Sequence, residues 1–233
     1  VNPGSREWAG STVCEPETGR ITLFYTVTGR RGDGGKSFEQ RLFQISGTLC
    51  VGDSSLTVSD WGAPVENIVS DGTHYVVVDQ KQGRPGFIKG FRDPFHFRDP
   101  SDGVSYIFFT GSWQPSQHEH NGVVGVARCR DGSFAGWELL PPIISADGVN
   151  NELERPVLRH AGGLYYLFWS TQRKTFAPDG PSGPNGLYGM VADSVLGPYR
   201  PLNGTGLVAP NPPSEPYQTY SWWVDDQLQV TGF

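Results

Sequence analysis

Two short segments of the sequence place a carboxylate beside an arginine and end at a proline: Arg92-Asp93-Pro94 and Glu154-Arg155-Pro156. Transfer of a glycosyl unit with retention requires an attacking carboxylate, a carboxylic acid that protonates the leaving oxygen, and negative charge near the developing oxocarbenium ion. Glu154, with Glu152 two residues before it, suits the acid. Asp93, beside Arg92, suits a group that stabilises the charge and binds sugar hydroxyls. The sequence therefore predicts carboxylate chemistry on a sugar.

A second Arg-Asp-Pro triplet follows closely, at Arg98-Asp99-Pro100. The Ser-Asp-Gly after it is typical of a surface turn, so we expect Asp99 to lie in a turn. An isolated Asp-Pro or Arg-Pro is more often a solvated turn than a functional group. Two charged triplets at equivalent places in successive repeats weaken that interpretation for Asp93 and Glu154.

The segments that must position these residues are aromatic-rich and repeat along the chain. Three of them pair an aromatic strand with a second, alternating strand: 21–26 with 40–46, 105–113 with 123–129, and 164–170 with 187–193. A further strand is expected at 74–80. With 31 Gly and 19 Pro, the composition favours short strands joined by tight turns. The pattern predicts an all-β propeller or sandwich, and the repetition favours the propeller.

Each charged triplet precedes an aromatic strand, and proline cannot donate a hydrogen bond to a sheet. We therefore expect each triplet at the start or edge of the innermost strand of its blade, facing the central cavity. The aromatic residues that could stack on sugar rings there are Trp8, Trp113 and Tyr220, although tryptophan more often packs in a core.

Charge and cysteine content exclude several classes of function. The formal net charge of −6 argues against nucleic acid or an anionic membrane as the partner. Three cysteines without a CxxC pair argue against a zinc site or a redox pair, while a disulfide between Cys14 and Cys50 stays open. The His-Glu-His-Asn segment at 118–121 lacks a partner motif, so we expect an exposed loop there and no metal site.

Four ordered motifs give the sequence a family resemblance. They are EWAGST at 7–12, FRDP at 91–94, GVNNELERP at 148–156 and PYQTYSW at 216–222. Together they resemble glycoside hydrolase family 68, the levansucrases, inulosucrases and related β-fructofuranosidases. The resemblance implies a five-bladed β-propeller, transfer of fructosyl from sucrose to water, fructan or sugar acceptors, and a secreted or periplasmic protein.

The resemblance also implies roles for individual residues. Glu154 would be the general acid/base and Asp93 the transition-state stabiliser. The residues implied to bind substrate are Trp8, Arg92, Glu152, Arg155, Gln172 and Tyr220. Gln172 lies near a position that influences the length of the product in this family.

Three departures from the family pattern limit these expectations. The nucleophile of the family lies in a Trp-Asp-x-Trp-Pro motif upstream of the first motif, and the sequence contains no such motif. Ala9 replaces a serine, and Asn151 replaces an acidic residue that helps to hold calcium in many members, so no cofactor or metal is expected.

Because the nucleophile motif is absent, we expect residues 1–233 to form one partial propeller domain that lacks the first blade and the closing strands. Such a chain would be inactive alone, and the missing N-terminal segment of the same enzyme would be its partner.

Two other interpretations stay open at this point. An invertase-like or arabinan-cleaving propeller would share the fold and the Arg-Asp-Pro element, but its acid/base motif differs from NELERP. A non-catalytic carbohydrate-binding propeller would keep exposed aromatic residues and lose the paired carboxylates, whereas both Asp93 and Glu154 are present here.

Overall fold

Short antiparallel strands form almost all of the regular structure in the computed structural model, which describes residues 3–35, 37–80, 82–129 and 131–233. The first sheet contains β1 (Arg6–Glu15), β2 (Arg20–Thr28), β3 (Gln40–Val51), β4 (Leu56–Ser59) and β5 (Val65–Ile68). The second contains β6 (Phe91–Arg98), β7 (Ser105–Ser112), β8 (Gly122–Cys129) and β9 (Trp137–Ser145).

The third sheet and a strand pair complete the described fold. The third sheet contains β10 (Glu154–Ala161), β11 (Leu164–Thr171), β12 (Gly186–Ala192), β13 (Arg200–Pro201) and β14 (Leu207–Pro210). The last pair is β15 (Trp222–Val224) with β16 (Val230–Gly232), and two 3-10 turns span Arg173–Thr175 and Leu202–Gly204. Nowhere in the described ranges is there a helix of the length and apolarity that a membrane crossing needs.

The first strands of successive sheets lie side by side. β1 contacts β6, β6 contacts β10, and β10 contacts β15, while later strands of each sheet follow in order away from them. This arrangement is that of an incomplete β-propeller, with three blades and the start of another in the described part of the chain. The predicted all-β propeller and its three strand pairs are therefore confirmed.

The core lies between the blades. Phe24 of the first blade packs with Ile107 and Phe109 of the second, and the other face of the second blade presents Phe108 to Leu167 of the third. Because neighbouring blades cover both faces of β7, all eight of its residues are buried. Continuous apolar sequence in this strand thus reflects burial on two faces.

The strand predicted at 74–80 is wrong. This segment forms only an isolated bridge between Tyr75 and Trp113. Tyr75 is fully buried; its hydroxyl donates to the carbonyl of Leu140 at 2.6 Å and accepts from the Val126 amide at 3.1 Å. Gly125 makes room for the ring, since a Cβ there would lie 2.8 Å from it. Tyr75 and Val78 instead pack in the core between the first and second blades. Hydrogen bonds from the Val76 amide to Ser112 and from the Gln40 amide to Val78, both 2.9 Å, join the segment to neighbouring strands without a continuous ladder.

Buried hydroxyls on the second strands join each blade to the next. Thr26 accepts a hydrogen bond from the backbone amide of Asp93 at 2.8 Å, and Thr110 accepts one from that of Arg155 at 3.2 Å. Ser170 accepts from the amide of Trp222 at 3.2 Å. The same contact thus recurs at three successive blade junctions, and at the first two it holds the backbone of a charged triplet.

Replacing Thr26 by valine is expected to destabilise the first junction. The isosteric change leaves the Asp93 amide and the carbonyl of Ala9, to which Thr26 donates at 3.1 Å, without partners. The free energy of unfolding should fall by roughly 1–3 kcal/mol, measured by urea unfolding with tryptophan fluorescence. The exposed Thr12→Val change on β1 is the matched control, and an equal loss in both variants would contradict this role of Thr26.

Candidate active site

A β-bulge in each innermost strand aims the charged triplets at one place. The register of β6 shifts between Arg92 and Phe95, and that of β10 shifts between Glu154 and Val157. Asp93 has φ 59° and Arg155 has φ 51°, values that non-glycine residues adopt rarely. Such bulges bend a strand and redirect its side chains, and strain of this kind clusters at functional sites.

The bulges line a cavity of about 380 Å³ at the inner ends of the blades. All eight predicted site residues line it: Trp8, Arg92, Asp93, Glu152, Glu154, Arg155, Gln172 and Tyr220. The expected placement of the two triplets on innermost strands is thus confirmed. Trp113, the third aromatic residue considered, does not line this cavity and instead pairs through its backbone with Tyr75.

The guanidinium of Arg92 lies among three carboxylates. Its Nη2 atom is 2.8 Å from Oε1 of Glu154 and 3.8 Å from Oε1 of Glu152, and its Nε atom is 3.6 Å from Oδ2 of Asp93. All four side chains are buried. Although burial opposes it, the three negative charges raise the pKa of Arg92, so the arginine stays charged.

The carboxylate of Asp93 is held by groups from its own blade and from the next blade. Its Oδ2 atom accepts a hydrogen bond from the Thr110 hydroxyl at 3.0 Å and from the backbone amide of Arg155 at 3.2 Å. Burial raises the pKa of Asp93, and the charge of Arg92 acts in the opposite direction. The carboxylate is thereby fixed in position by β7 of its own blade and β10 of the next blade.

Glu154 is held from two sides. Oε1 contacts Arg92, and Oε2 accepts a hydrogen bond from the phenol of Tyr220 at 3.2 Å. Burial first, and then the charge of Glu154, raises the pKa of Tyr220, so the phenol keeps its proton and remains the donor. Arg155 lies over the Tyr220 ring at 5.5 Å and donates to Ser221 at 2.6 Å. Arg92 and Tyr220 thus fix the orientation of Glu154, and Arg155 packs against the Tyr220 ring.

Sequence reasoning missed several residues that support the site. Thr110 and Thr26 hold Asp93, and Gln40 accepts hydrogen bonds from the Phe91 amide at 3.0 Å and from Arg92 at 3.4 Å. Lys174 lines the cavity beside Gln172. One sequence signal could have indicated such a supporting residue: a hydroxyl side chain inside an aromatic, buried strand, as at Thr110.

The turn that follows Asp99 lies on the surface, as expected, with residues 100–103 exposed, but the side chain of Asp99 itself is buried. Its side chain is 2% exposed and accepts hydrogen bonds from the Ser101 amide at 2.9 Å and the Tyr165 hydroxyl at 2.7 Å. These contacts join the second and third blades, away from the cavity. Asp93 and Asp99 therefore share a sequence triplet and occupy different environments.

Lys89 occupies the surroundings of Asn151, where the family pattern would place a ligand of calcium. Its ammonium donates to the carbonyl of Glu119, to Oδ1 of Asn121 at 2.9 Å and to Oδ1 of Asn151 at 3.2 Å. Burial lowers the pKa of Lys89, and Glu119 opposes that shift. An ammonium already binds these oxygens, and no cluster of three metal-ligating side chains occurs among the described residues, so the site does not fit calcium.

The three cysteines and the segment 118–121 lie outside the cavity. Cys14, Cys50 and Cys129 are all free, so the structure contains no Cys14–Cys50 disulfide. The segment 118–121 lies in a loop as predicted, with His118 and Glu119 exposed. His120 and Asn121 are buried, because that end of the loop packs beside the third blade.

Calcium is expected to leave the stability of the protein unchanged. Excess calcium or a chelator should not shift the midpoint of thermal unfolding, because Lys89 supplies the positive charge. Lys89→Met should lower the free energy of unfolding by roughly 1–3 kcal/mol, since it removes the ammonium donor from Oδ1 of Asn121 and leaves Oδ1 of Asn151 with the Asn121 amide as its remaining donor. Lys174→Met, on an exposed lysine, is the control; a calcium-dependent midpoint in the unmodified protein would overturn the assignment.

Glu152 should make the stability depend on pH. Burial, and then the charge of Glu154, raises the pKa of Glu152 from an ordinary value of 4.5 to about 7. The folded protein therefore binds the proton more tightly, and the stabilisation present below about pH 4.5 is lost as pH rises through 7.

The variant Glu152→Gln removes this titration. Between pH 4.5 and 8 its free energy of unfolding, relative to the unmodified protein, should rise by up to about 3 kcal/mol. Urea unfolding across that range measures the difference. Glu17→Gln, at an exposed position, should show a difference that stays constant within about 0.5 kcal/mol. A constant difference for Glu152→Gln as well would show that Glu152 titrates alike in the folded and unfolded states.

Comparison with known proteins places this site in a family. The family model described as Levansucrase/Invertase matches residues 1–121 and 114–233. The levansucrase of Rahnella aquatilis is 34% identical over 256 residues, which include 100% of this chain and 58% of that protein. Levansucrase LscC of Pseudomonas savastanoi pv. glycinea is also 34% identical, with 56% of its length matched.

Solved structures agree with the sequence matches. An inulosucrase from Halalkalicoccus jeotgali, bound to kestose, has a TM-score of 0.85 and 40% identity over 95% of this chain and 56% of that one. The levansucrase from Gluconacetobacter diazotrophicus has a TM-score of 0.81 and 26% identity over 97% and 56%. The chain thus spans somewhat more than half the length of the relatives it matches. Because these matches extend over the whole chain, it belongs to the levansucrase/invertase family, glycoside hydrolase family 68.

Proposed function

We propose that residues 1–233 form part of a single catalytic propeller that transfers fructosyl units from sucrose by a retaining mechanism. The observation that carries the proposal is the buried Arg92 guanidinium, which holds Glu154 at 2.8 Å and lies beside Asp93 and Glu152 in one cavity. Burying several like charges together costs stability, and binding of a neutral sugar does not require it. The cluster therefore favours a catalytic site over a non-catalytic binding propeller.

In this proposal Glu154 protonates the oxygen of the departing glucosyl unit and later accepts a proton from water or an acceptor hydroxyl. Tyr220 and Arg92 bind its two oxygens, so the carboxyl is held in a fixed orientation. A positioned acid/base of this kind contributes about 10²–10⁴-fold to the rate.

Asp93 stabilises the cationic transition state and binds fructosyl hydroxyls. Thr110 and the Arg155 amide fix one of its oxygens, Oδ2, in place. Trp8, Arg155 and Gln172 complete the wall of the cavity around the substrate.

The nucleophile belongs to the Trp-Asp motif that the family carries upstream of EWAGST. The carboxylates that line the described cavity are Asp93, Glu152 and Glu154. In this proposal Asp93 is the stabiliser, Glu154 is the acid/base, and Glu152 binds substrate. We therefore propose that the chain alone is inactive and that a segment bearing the motif completes the site. Secretion or a periplasmic location is part of the same proposal and rests on the family alone.

Release of glucose and fructose from sucrose tests this function. The chain as it stands should release neither, whereas a form extended upstream through a Trp-Asp motif blade should release both. In the extended form Glu154→Gln should lower kcat about 10²–10⁴-fold, and Glu17→Gln should leave it unchanged. Cleavage by the short chain would place a nucleophile within these residues, and full activity of the extended Glu154→Gln variant would refute the role of Glu154.

A further inference from the structure

The side-chain amide of Gln40, the first residue of β3, contacts the segment that carries Arg92. Its Nε2 atom donates to the carbonyl oxygens of Lys89 at 2.8 Å and Phe38 at 3.2 Å. Its Oε1 atom accepts from the Phe91 amide at 3.0 Å and from Nη1 of Arg92 at 3.4 Å. Gln40 is buried, and both ends of its amide are thus hydrogen-bonded.

Gln40 joins the first blade to the second. Its own backbone amide donates to the carbonyl of Val78 at 2.9 Å, so the residue is itself held in place. Three of its side-chain contacts reach residues 49 to 52 positions further along the chain, at the entry to β6. That entry is tight, because a Cβ on Gly90 would lie 3.3 Å from Nη1 of Arg92. The fold of both blades therefore fixes the position of this nitrogen.

The guanidinium of Arg92 is planar, so a contact at one nitrogen sets the direction of the others. Gln40 binds Nη1, and the carbonyl of Lys89 binds the same nitrogen at 3.4 Å. Nη2 in turn donates to Oε1 of Glu154 at 2.8 Å. Although Gln40 does not line the cavity, it acts on Glu154 through Arg92.

An amide of this length satisfies the whole set of contacts, and neither an apolar nor a charged side chain does. A leucine would remove the acceptor of the Phe91 amide and of Nη1 of Arg92. A glutamate would keep that acceptor, but its second oxygen would face the carbonyls of Lys89 and Phe38, to which Gln40 donates. It would also add a further carboxylate beside Arg92.

The neutrality of Gln40 matters because several carboxylates already share the charge of Arg92. Asp93, Glu152 and Glu154 lie 3.6, 3.8 and 2.8 Å from the guanidinium nitrogens. Buried carboxylates depend on such a partner, because a buried charge without compensation is strongly destabilising. A neutral acceptor orients the guanidinium and leaves its whole charge to these three groups.

We propose that Gln40 is a positioning residue of the reaction: its neutral amide orients the guanidinium of Arg92 toward Glu154 and leaves the positive charge to the carboxylates of the cavity. The effect on catalysis rests on the proposed fructosyl transfer, whereas the orientation of Arg92 rests on the hydrogen bonds alone.

The chain as it stands tests the orientation of Arg92. Exchange of its Nε–H proton with water, followed by nitrogen-15 NMR, should be about 10-fold faster or more in Gln40→Leu, because the guanidinium loses a contact that restricts it. The control is Gln44→Leu, the same change on the same strand, at a residue whose amide oxygen accepts from Asn67 at 2.5 Å. Equal exchange rates in Gln40→Leu and the unmodified chain would refute the orientation by Gln40.

The extended form tests the effect on catalysis. There, Gln40→Leu should lower kcat for sucrose cleavage about 10- to 100-fold, because a misdirected guanidinium no longer holds Glu154. Gln44→Leu should keep kcat within about twofold.

Gln40→Glu tests the neutrality with a side chain of the same size. The added negative charge should hold protons on the cavity carboxylates to higher pH and move the pH profile of kcat upward by about 1 pH unit. Gln44→Glu should leave the profile in place. A purely structural role of Gln40 would lower the stability of its variants without moving the profile.

These experiments separate the positioning role from the proposed function. If the extended form cleaves sucrose and the Gln40 variants keep both kcat and its pH profile, the positioning role alone is refuted. If Gln40→Leu does not fold, the pH profile of Gln40→Glu decides. If the extended form fails to cleave sucrose while Arg92 exchanges faster in Gln40→Leu, the proposed function falls and the orientation of Arg92 by Gln40 stands.

Discussion

The buried guanidinium of Arg92 is the interaction on which the arrangement of the site depends. Carboxylates cannot be gathered in a low-dielectric cavity without a compensating charge, and an unpaired buried charge is strongly destabilising. Arg92 contacts Asp93, Glu152 and Glu154, which come from two different blades and from the loop between them. It also approaches the Lys89 carbonyl and Gln40, so the first and second blades share in holding it. The position of one side chain thereby links assembly of the propeller to assembly of the site.

Backbone geometry explains why the site needs neighbouring blades. The bulges place Asp93 and Arg155 at positive φ, which is unfavourable for residues other than glycine unless the surroundings compensate. Hydroxyls of the preceding blade supply that compensation through the amides of these two residues. A blade therefore holds its own charged triplet in the strained conformation only when the blade before it is folded. The geometry of the site is a property of the assembled propeller and not of any single motif.

Some of this could be predicted from the sequence and some could not. Aromatic strands and charged triplets closed by proline have short-range signals, so the blades and the gathering of Asp93 and Glu154 were predictable. The segment 74–80 was expected to be a strand, yet the ring of Tyr75 packs into a space opened by Gly125, and such long-range packing leaves no local pattern. The burial of Asp99 likewise depends on a distant partner, Tyr165. Lys89 contacts residues 30 to 62 positions away in the sequence, and Thr110 contacts residues 17 to 45 positions away. A short sequence motif cannot encode contacts at such distances.

The charge balance of the cavity connects this architecture with its chemistry. Its deepest part holds three carboxylates around one guanidinium, while Arg155 is turned toward Ser221 and Lys174 lies exposed at the rim. In the proposed fructosyl transfer a neutral sugar would enter this site without a change in net charge, whereas an oxocarbenium-like transition state would bring positive charge into it. Preorganised negative groups would then stabilise the transition state more than the bound sugar, which is the condition for catalysis. Burial and the charge of Glu154 raise the pKa of Glu152 to about 7, so near neutral pH part of the protein carries a neutral Glu152. The close packing of the carboxylates therefore also limits the negative charge that the cavity can hold.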